Sequence, residues 1–178
     1  MMISHRTLIR VSMFILVASA SHAQQRQGTN TWGPWRFLLG EWIGGGSGEP
    51  GKGAGSFTFS LDLQDQIIVR KSHTEYPASK DRPVFSHDDF MVVYQEPQKP
   101  THAVYFDNEG HVIHYSVEFS ADSTSVIFLS DPGPSTPQFR LTYVKREQGS
   151  LGITFDVASP DQPQKFSRYI EGIAQRRK

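Results

Sequence analysis

The chain has 178 residues, 18 basic against 18 acidic side chains, and no cysteine. The balanced charge gives no electrostatic case for nucleic acid or an anionic membrane as a partner. The missing thiols exclude disulfides, thiol catalysis, iron–sulfur clusters and cysteine zinc sites, so stability must come from packing and sheet pairing.

Residues 1–23 read as a targeting segment. Arg6 and Arg10 make a basic start, VSMFILVASA from Val11 to Ala20 is a short apolar run, and Ser21-His22-Ala23 ends in a small-x-small pattern. This is the layout of a secretory signal peptide cut after Ala23, and the run is too short to span a bilayer as a mature helix. The expected localisation is secreted or periplasmic, with no membrane span after cleavage. Losing Arg6 and Arg10 leaves a slight acidic excess. Residues 24–30 (QQRQGTN) read as a disordered lead-in, and 31–178 as one domain, long enough to bury a core or enclose a cavity.

Trp32 to Leu39 (WGPWRFLL) carries Pro34 where a first helical turn tolerates it and Gly40 where a helix stops, which predicts a short N-terminal helix. From Glu41 the period changes to two. Phe57, Phe59, Leu61 and Leu63 alternate with polar residues, and Phe90, Val92 and Tyr94 follow Asp88 at the same spacing. Ile113, Tyr115, Val117 and Phe119 also alternate, then Phe139, Leu141 and Tyr143, then Leu151, Ile153, Phe155 and Val157. Strands are predicted at 41–47, 54–63, 66–76, 88–95, 102–107, 111–120, 123–130, 138–146, 150–158 and 165–175. Asn108-Glu109-Gly110 fits a tight hairpin, Gln148-Gly149 a turn, and Asp131-Pro132-Gly133-Pro134 and Ser159-Pro160-Asp161 loops. Ten short strands joined by hairpins in sequence order predict an all-β, single antiparallel up-and-down β-barrel with a short N-terminal helix at one end. Closure would remove exposed sheet edges.

The glycine run from Gly44 to Gly55 (GGGSGEPGKGAG) must be read against a phosphate loop. Gly46 to Gly53 comes close to G-x-x-x-x-G-K-[ST], but Gly53 stands where Ser or Thr should be, and neither a preceding apolar strand nor a following helix is in place. A hairpin at the start of a small barrel fits better, since glycine permits bending and close backbone approach.

A short helix running into LLGEWIGGGSGE, followed by ten strands, resembles the nitrobindin-like branch of the calycin barrels, and Gly40-Glu41-Trp42 resembles the G-x-W that opens lipocalin barrels. HDDFMVVYQEP, VYFDNEGHVIHYSVEF, RLTYVKREQGSLGITFDVASP and YIEGIAQRR resemble an uncharacterised family of secreted bacterial proteins on the same barrel. The resemblance implies structural roles for Gly40 and Trp42, with Trp42 packing across the closed end. It also implies a haem held by a histidine near the C-terminus. Here the last histidine is His114, so a haem would need Tyr169, His73 or His114 instead, and none is expected as cofactor.

Other chemistry is sparse. His111 and His114 fall on opposite strand faces, and His87 with Asp89 gives only two same-face groups, so no metal site is expected. No serine sits in a G-x-S-x-G elbow, and no catalytic residue is assigned. What remains is a set of polar residues inside strands that could line a cavity: Arg70, His73, Tyr76, Tyr105, His114, Arg140, Tyr143, Arg168, Tyr169 and Glu171. Taking Phe139, Leu141 and Tyr143 as inward puts Arg140 outside. A buried arginine would pair with Glu75 or Glu171, or meet a ligand carboxylate. The expected function is non-covalent binding of a small apolar or amphipathic molecule in the barrel. A cavity enzyme, haem-dependent or otherwise, and a solid barrel that forms a homodimer or binds a protein are the alternatives.

Overall fold

The computed structural model describes residues 32–48, 52–131 and 133–178. The expected signal peptide and lead-in, Thr31, Glu49-Pro50-Gly51 and Pro132 lie outside the described residues. Ten strands follow in chain order: β1 (Gly40–Gly48), β2 (Gly53–Asp62), β3 (Ile67–Tyr76), β4 (Phe85–Gln95), β5 (Thr101–Asp107), β6 (Val112–Phe119), β7 (Ser125–Ser130), β8 (Gln138–Lys145), β9 (Ser150–Ala158) and β10 (Ser167–Arg176). Each pairs antiparallel with its sequence neighbours, and β1 pairs with β10 to close the barrel. The predicted all-β up-and-down barrel is the observed fold. The predicted helix is a single 3-10 helix, Gly33–Phe37, with Pro34 in its first turn.

That helix covers one end of the barrel. Trp35 is buried there with its ring edge-on to Phe119, at 5.1 Å, and Phe128, at 5.9 Å. The Trp32 indole donates to the Asp65 carbonyl in the β2–β3 turn at 2.8 Å. Trp42 is likewise buried. Its indole donates to the Leu38 carbonyl at 2.7 Å, its ring stacks on Phe57, and the Arg176 guanidinium lies 4.4 Å from its ring centroid. Arg176 also donates to the carbonyls of Phe37, at 3.1 Å, and Leu39, so the end of β10 ties down the chain leaving the helix. Gly40 has φ +123°, a conformation L side chains rarely adopt, and a Cβ there would meet Arg176.

The inward rows across β10, β1 and β2 decide what happens above this floor. The lowest row is Arg176, Trp42 and Phe57. The next is Ala174, Gly44 and Gly55, and the one above it Gly172, Gly46 and Gly53. The aromatic core therefore stops at Trp42 and Phe57, and two rows of glycine and alanine stand over it. The strands also approach closely here: a Cβ on Gly44 would lie 2.6 Å from the Ile173 carbonyl oxygen, and one on Gly46 2.6 Å from that of Glu171. This answers what the glycine run is for. Gly53 opens a strand, not a helix, so no phosphate loop forms.

Strand β4 corrects the sequence reading of its faces. Met91 and Val93 are fully buried, so the inward set is Phe85, His87, Asp89, Met91 and Val93, and Phe90 is exposed on the outer face. Both faces of this strand are apolar, and alternation alone does not choose between them.

Trp42→Ala is expected to cost about 3–5 kcal/mol of stability, as a large core truncation. Gly46→Ala is expected to cost about 1–3 kcal/mol, because the added methyl forces β1 away from β10. Urea denaturation of each variant checks both. A loss below about 1 kcal/mol for Trp42→Ala would remove Trp42 from the floor of the barrel.

Candidate functional site

Above the floor lies a cavity of about 540 Å³. Its walls differ. Strands β8, β9 and β10 contribute Phe139, Leu141, Ile153, Phe155, Val157 and Ile170, while the glycine rows leave bare backbone at Gly44, Gly46, Gly55 and Gly172. Opposite them, β3, β4, β5 and the β5–β6 turn contribute Arg70, His87, Asp89, Tyr105, Asp107, Glu109 and His111. Tyr76, Arg82, Phe85 and Tyr169 also line it; the Tyr76 and Phe85 rings stack at 4.6 Å, and the Arg82 guanidinium lies 4.1 Å from the Phe85 ring centroid.

Arg70 is a buried charge on this wall, only 8% exposed. It forms an ion pair with Asp89 Oδ1, and its guanidinium lies 5.4 Å from the Phe57 ring centroid. Burial works against the guanidinium charge, but Asp89 together with the Tyr143 and Tyr105 phenols more than offsets it and raises the Arg70 pKa. The Tyr143 hydroxyl is buried beside Arg70 without a hydrogen bond of good geometry, and burial pushes its pKa up to about 12. Burial likewise raises Tyr105 and Tyr115, so all three phenols are neutral.

A second network runs toward the rim. His87 bonds Glu109 Oε1 through Nδ1 at 2.9 Å and the Tyr105 hydroxyl through Nε2 at 2.9 Å. Asp107 Oδ1 accepts the backbone N–H groups of Glu109 and His111, at 3.0 and 2.9 Å, and its Oδ2 pairs with His111 Nδ1 at 2.8 Å. Burial pushes the Asp107 carboxyl up, but the contacts from His111 and Glu109 prevail and hold its pKa below the usual carboxylate value. Gly110, at φ +91°, turns this hairpin as its sequence predicts.

The residues singled out from sequence divide by strand parity. Arg70, Tyr76, Tyr105 and Tyr169 line the cavity, and Tyr143 is in the core beside Arg70. His73, His114, Arg140, Arg168 and Glu171 do not line it. His73 sits out of phase with Arg70 and Ser72 on β3; it is half exposed and bonds Asp88 at 2.6 Å, which raises its pKa. His114 is exposed between the inward Ile113 and Tyr115. Arg140, adjacent to inward Phe139 and Leu141, pairs with Asp156 at 3.0 Å and covers Phe166, and Arg168 reaches the same carboxylate at 2.5 Å. Glu171 pairs with Arg168 at 3.2 Å at an exposed position. The inward arginine is thus Arg70, and its partner is Asp89 in place of Glu75 or Glu171.

Sequence reading does not assign Asp89, Asp107, Glu109 and His111 to a cavity. The signal is present on β4, where Asp89 is in phase with Met91, but taking Phe90, Val92 and Tyr94 as the packed face hides it. Strand β10 holds a register shift between Arg168 and Ile170, which brings Tyr169 and Ile170 both onto the cavity. Among the described residues no group of three or more His, Cys, Asp or Glu could hold a metal ion, and no helix is long and apolar enough to cross a membrane.

Arg70→Met alone is expected to cost about 3–5 kcal/mol, because it leaves the Asp89 carboxylate buried and unpaired. The double variant Arg70→Met/Asp89→Leu should lose markedly less than that single change. Urea melts of the two variants make the comparison; equal losses would mean that the ion pair is not what these side chains contribute.

No protein-family model matches this chain, and no curated protein matches it. Its fold is found among solved structures. The crystal structure of Rv2717c from M. tuberculosis superposes with a TM-score of 0.56 at 11% identity, over 83% of this chain and 97% of that one. A de novo designed fluorescence-activating β-barrel gives a TM-score of 0.39 at 10% identity, over 80% of this chain and 95% of the design. At such identities the likeness to the M. tuberculosis protein is one of fold: a closed antiparallel barrel of ten strands.

Proposed function

We propose that this chain is a small-molecule-binding barrel that holds one amphipathic ligand non-covalently. The observation that carries the reading is the division of the cavity into an apolar wall on β8–β10 and a polar wall on β3–β5. Its volume, about 540 Å³, falls within the range of about 300–1,000 Å³ typical of small-molecule pockets. The ligand body lies against Leu141, Ile153 and Phe155, where each Å² of apolar area removed from water contributes roughly 25 cal/mol before association costs. The ligand's polar end meets the groups around Arg70, Asp89 and Tyr105. A solid interaction barrel is the less favoured reading, since such a barrel has no use for two rows of glycine over its core.

The nitrobindin-like placement and export through the Met1–Ala23 leader belong to the same proposal. The haem that the resemblance would bring does not fit the residues present. Strand β10 turns Tyr169, Ile170 and Gly172 to the cavity, and no histidine. Among the described residues the imidazoles on the wall are His87 and His111, already hydrogen-bonded to Glu109, Tyr105 and Asp107. The reading therefore uses no haem. An enzymatic reading has one observation in its favour, the carboxylate–imidazole–hydroxyl chain Glu109–His87–Tyr105, which is the order in which a base is oriented toward a hydroxyl.

Native mass spectrometry of the chain purified from the exported fraction of its own cells tests the binding reading. A stoichiometric small passenger is expected, and denaturation releases it for identification. Lys52→Ala should leave that passenger in place, because Lys52 does not line the cavity. A protein that is bare, and that also gains no mass on incubation with amphiphiles, would contradict the reading.

A further inference from the structure

We infer that the polar end of the ligand is a hydrogen-bond donor, best supplied as a protonated amine. The inference rests on the binding reading and adds the chemistry of the head group.

An interior arginine suggests an anion at first sight. Arg70, however, already has its counter-charge in Asp89, and the pair sits against the Phe57 ring. A ligand carboxylate brought to Arg70 would be desolvated beside the Asp89 carboxylate. What the wall still offers is set by the hydrogen bonds already made: Arg70 Nε is a buried donor without a hydrogen bond, and the other open positions are acceptors. Asp89 has only 6% of its side chain exposed, and it uses Oδ1 for Arg70. Among the described residues its Oδ2 accepts no hydrogen bond, and it lies 3.8 Å from His87 Nε2.

Tyr105 offers an oxygen in the same place. A Glu109 carboxylate can only accept at His87 Nδ1, so the imidazole tautomer that matches this bond carries its proton on Nδ1 and leaves Nε2 as an acceptor. The Tyr105 hydroxyl then donates to Nε2 at 2.9 Å, in preference to Asp107 Oδ2 at 3.4 Å, and turns a lone pair to the cavity. Tyr105 Oη and Asp89 Oδ2 thus both lie within 4 Å of one imidazole nitrogen, with no donor of their own to fill them. Glu109 uses Oε1 for His87 and keeps Oε2. Asp107 already accepts from His111 and the turn backbone, and adds a further negative charge. The wall carries three carboxylates, Asp89, Asp107 and Glu109, against the two guanidiniums of Arg70 and Arg82, and Arg82 lies over Phe85. A group that donates two or three hydrogen bonds and carries positive charge is the complement of this arrangement; an ammonium does both.

Isothermal titration calorimetry with three probes of one chain length, decylamine, decanol and decanoate, at neutral pH and below their micelle concentrations, separates the cases. The amine is expected to bind roughly tenfold or more tighter than the carboxylate, with the alcohol between them. Glu109→Gln, a change at a half-exposed rim position that leaves the core alone, should narrow that margin roughly threefold. Decanoate binding as tightly as decylamine, or tighter, overturns the inference while leaving the binding reading in place. A margin that Glu109→Gln does not change removes the polar wall as its cause and overturns it as well. No heat from any of the three contradicts the binding reading itself, and the inference with it.

Discussion

Two rows of glycine, with one alanine, carry the rest of this structure. Above Trp42 and Phe57, the inward positions of β10, β1 and β2 are Ala174, Gly44 and Gly55, then Gly172, Gly46 and Gly53. A barrel of ten short strands must fill its interior or enclose space, and the residues on these rows decide which. Here they cannot fill it. Nor can they easily be exchanged, because the carbonyls of Ile173 and Glu171 stand where the Cβ atoms of Gly44 and Gly46 would go. The same residues therefore draw three strands together and hold a space open. The aromatic cluster below, sealed by the 3-10 helix and tied by Arg176 to the carbonyls of Phe37 and Leu39, supplies the packing that this region gives up.

The polar wall opposite is held by a different balance. Arg70 and Asp89 are each costly to bury alone, and each is tolerable because of the other. Around them Tyr105, Tyr115 and Tyr143 bring hydroxyls into an apolar setting, which keeps the phenols protonated and supplies dipoles without further charge. Toward the rim, Glu109, His87, Asp107 and His111 are fixed by the β5–β6 hairpin and by one another. The wall is consequently organised before any ligand arrives. A preorganised acceptor-rich wall facing an apolar one explains why the proposed ligand is amphipathic and why its head group should donate.

Most of the architecture is legible as alternation. Leu151, Ile153, Phe155 and Val157 point inward as their period implies, and Phe139, Leu141 and Tyr143 on β8 place Arg140 outside, where it meets Asp156. The short segment before Gly40 and the hairpin at Gly110 are equally clear from Pro34 and Gly110. The site is harder to read. On β4 the outward Phe90, Val92 and Tyr94 are as apolar as the inward Met91 and Val93, so local pattern does not choose a face. Phase with β3 chooses it, since Arg70 opposes Met91 in the ladder. On β10 the register shift after Arg168 defeats simple alternation and brings Tyr169 and Ile170 to the cavity together. The close approach that the glycines permit is visible in their sequence. That they also line a cavity follows only from register, which aligns Gly44 with Gly55 and Gly46 with Gly53 across β1 and β2.

The central claim is that the glycine rows keep this barrel open over an aromatic floor. A crystal structure of the protein under xenon pressure tests it most directly, because xenon enters apolar space that side chains leave empty. The account expects xenon density between Gly55 and the Leu141–Ile153 side of the cavity, with Arg70 and Asp89 still paired below. A barrel without xenon there, its space taken up by inward rotation of Phe155 or Tyr76, would contradict it.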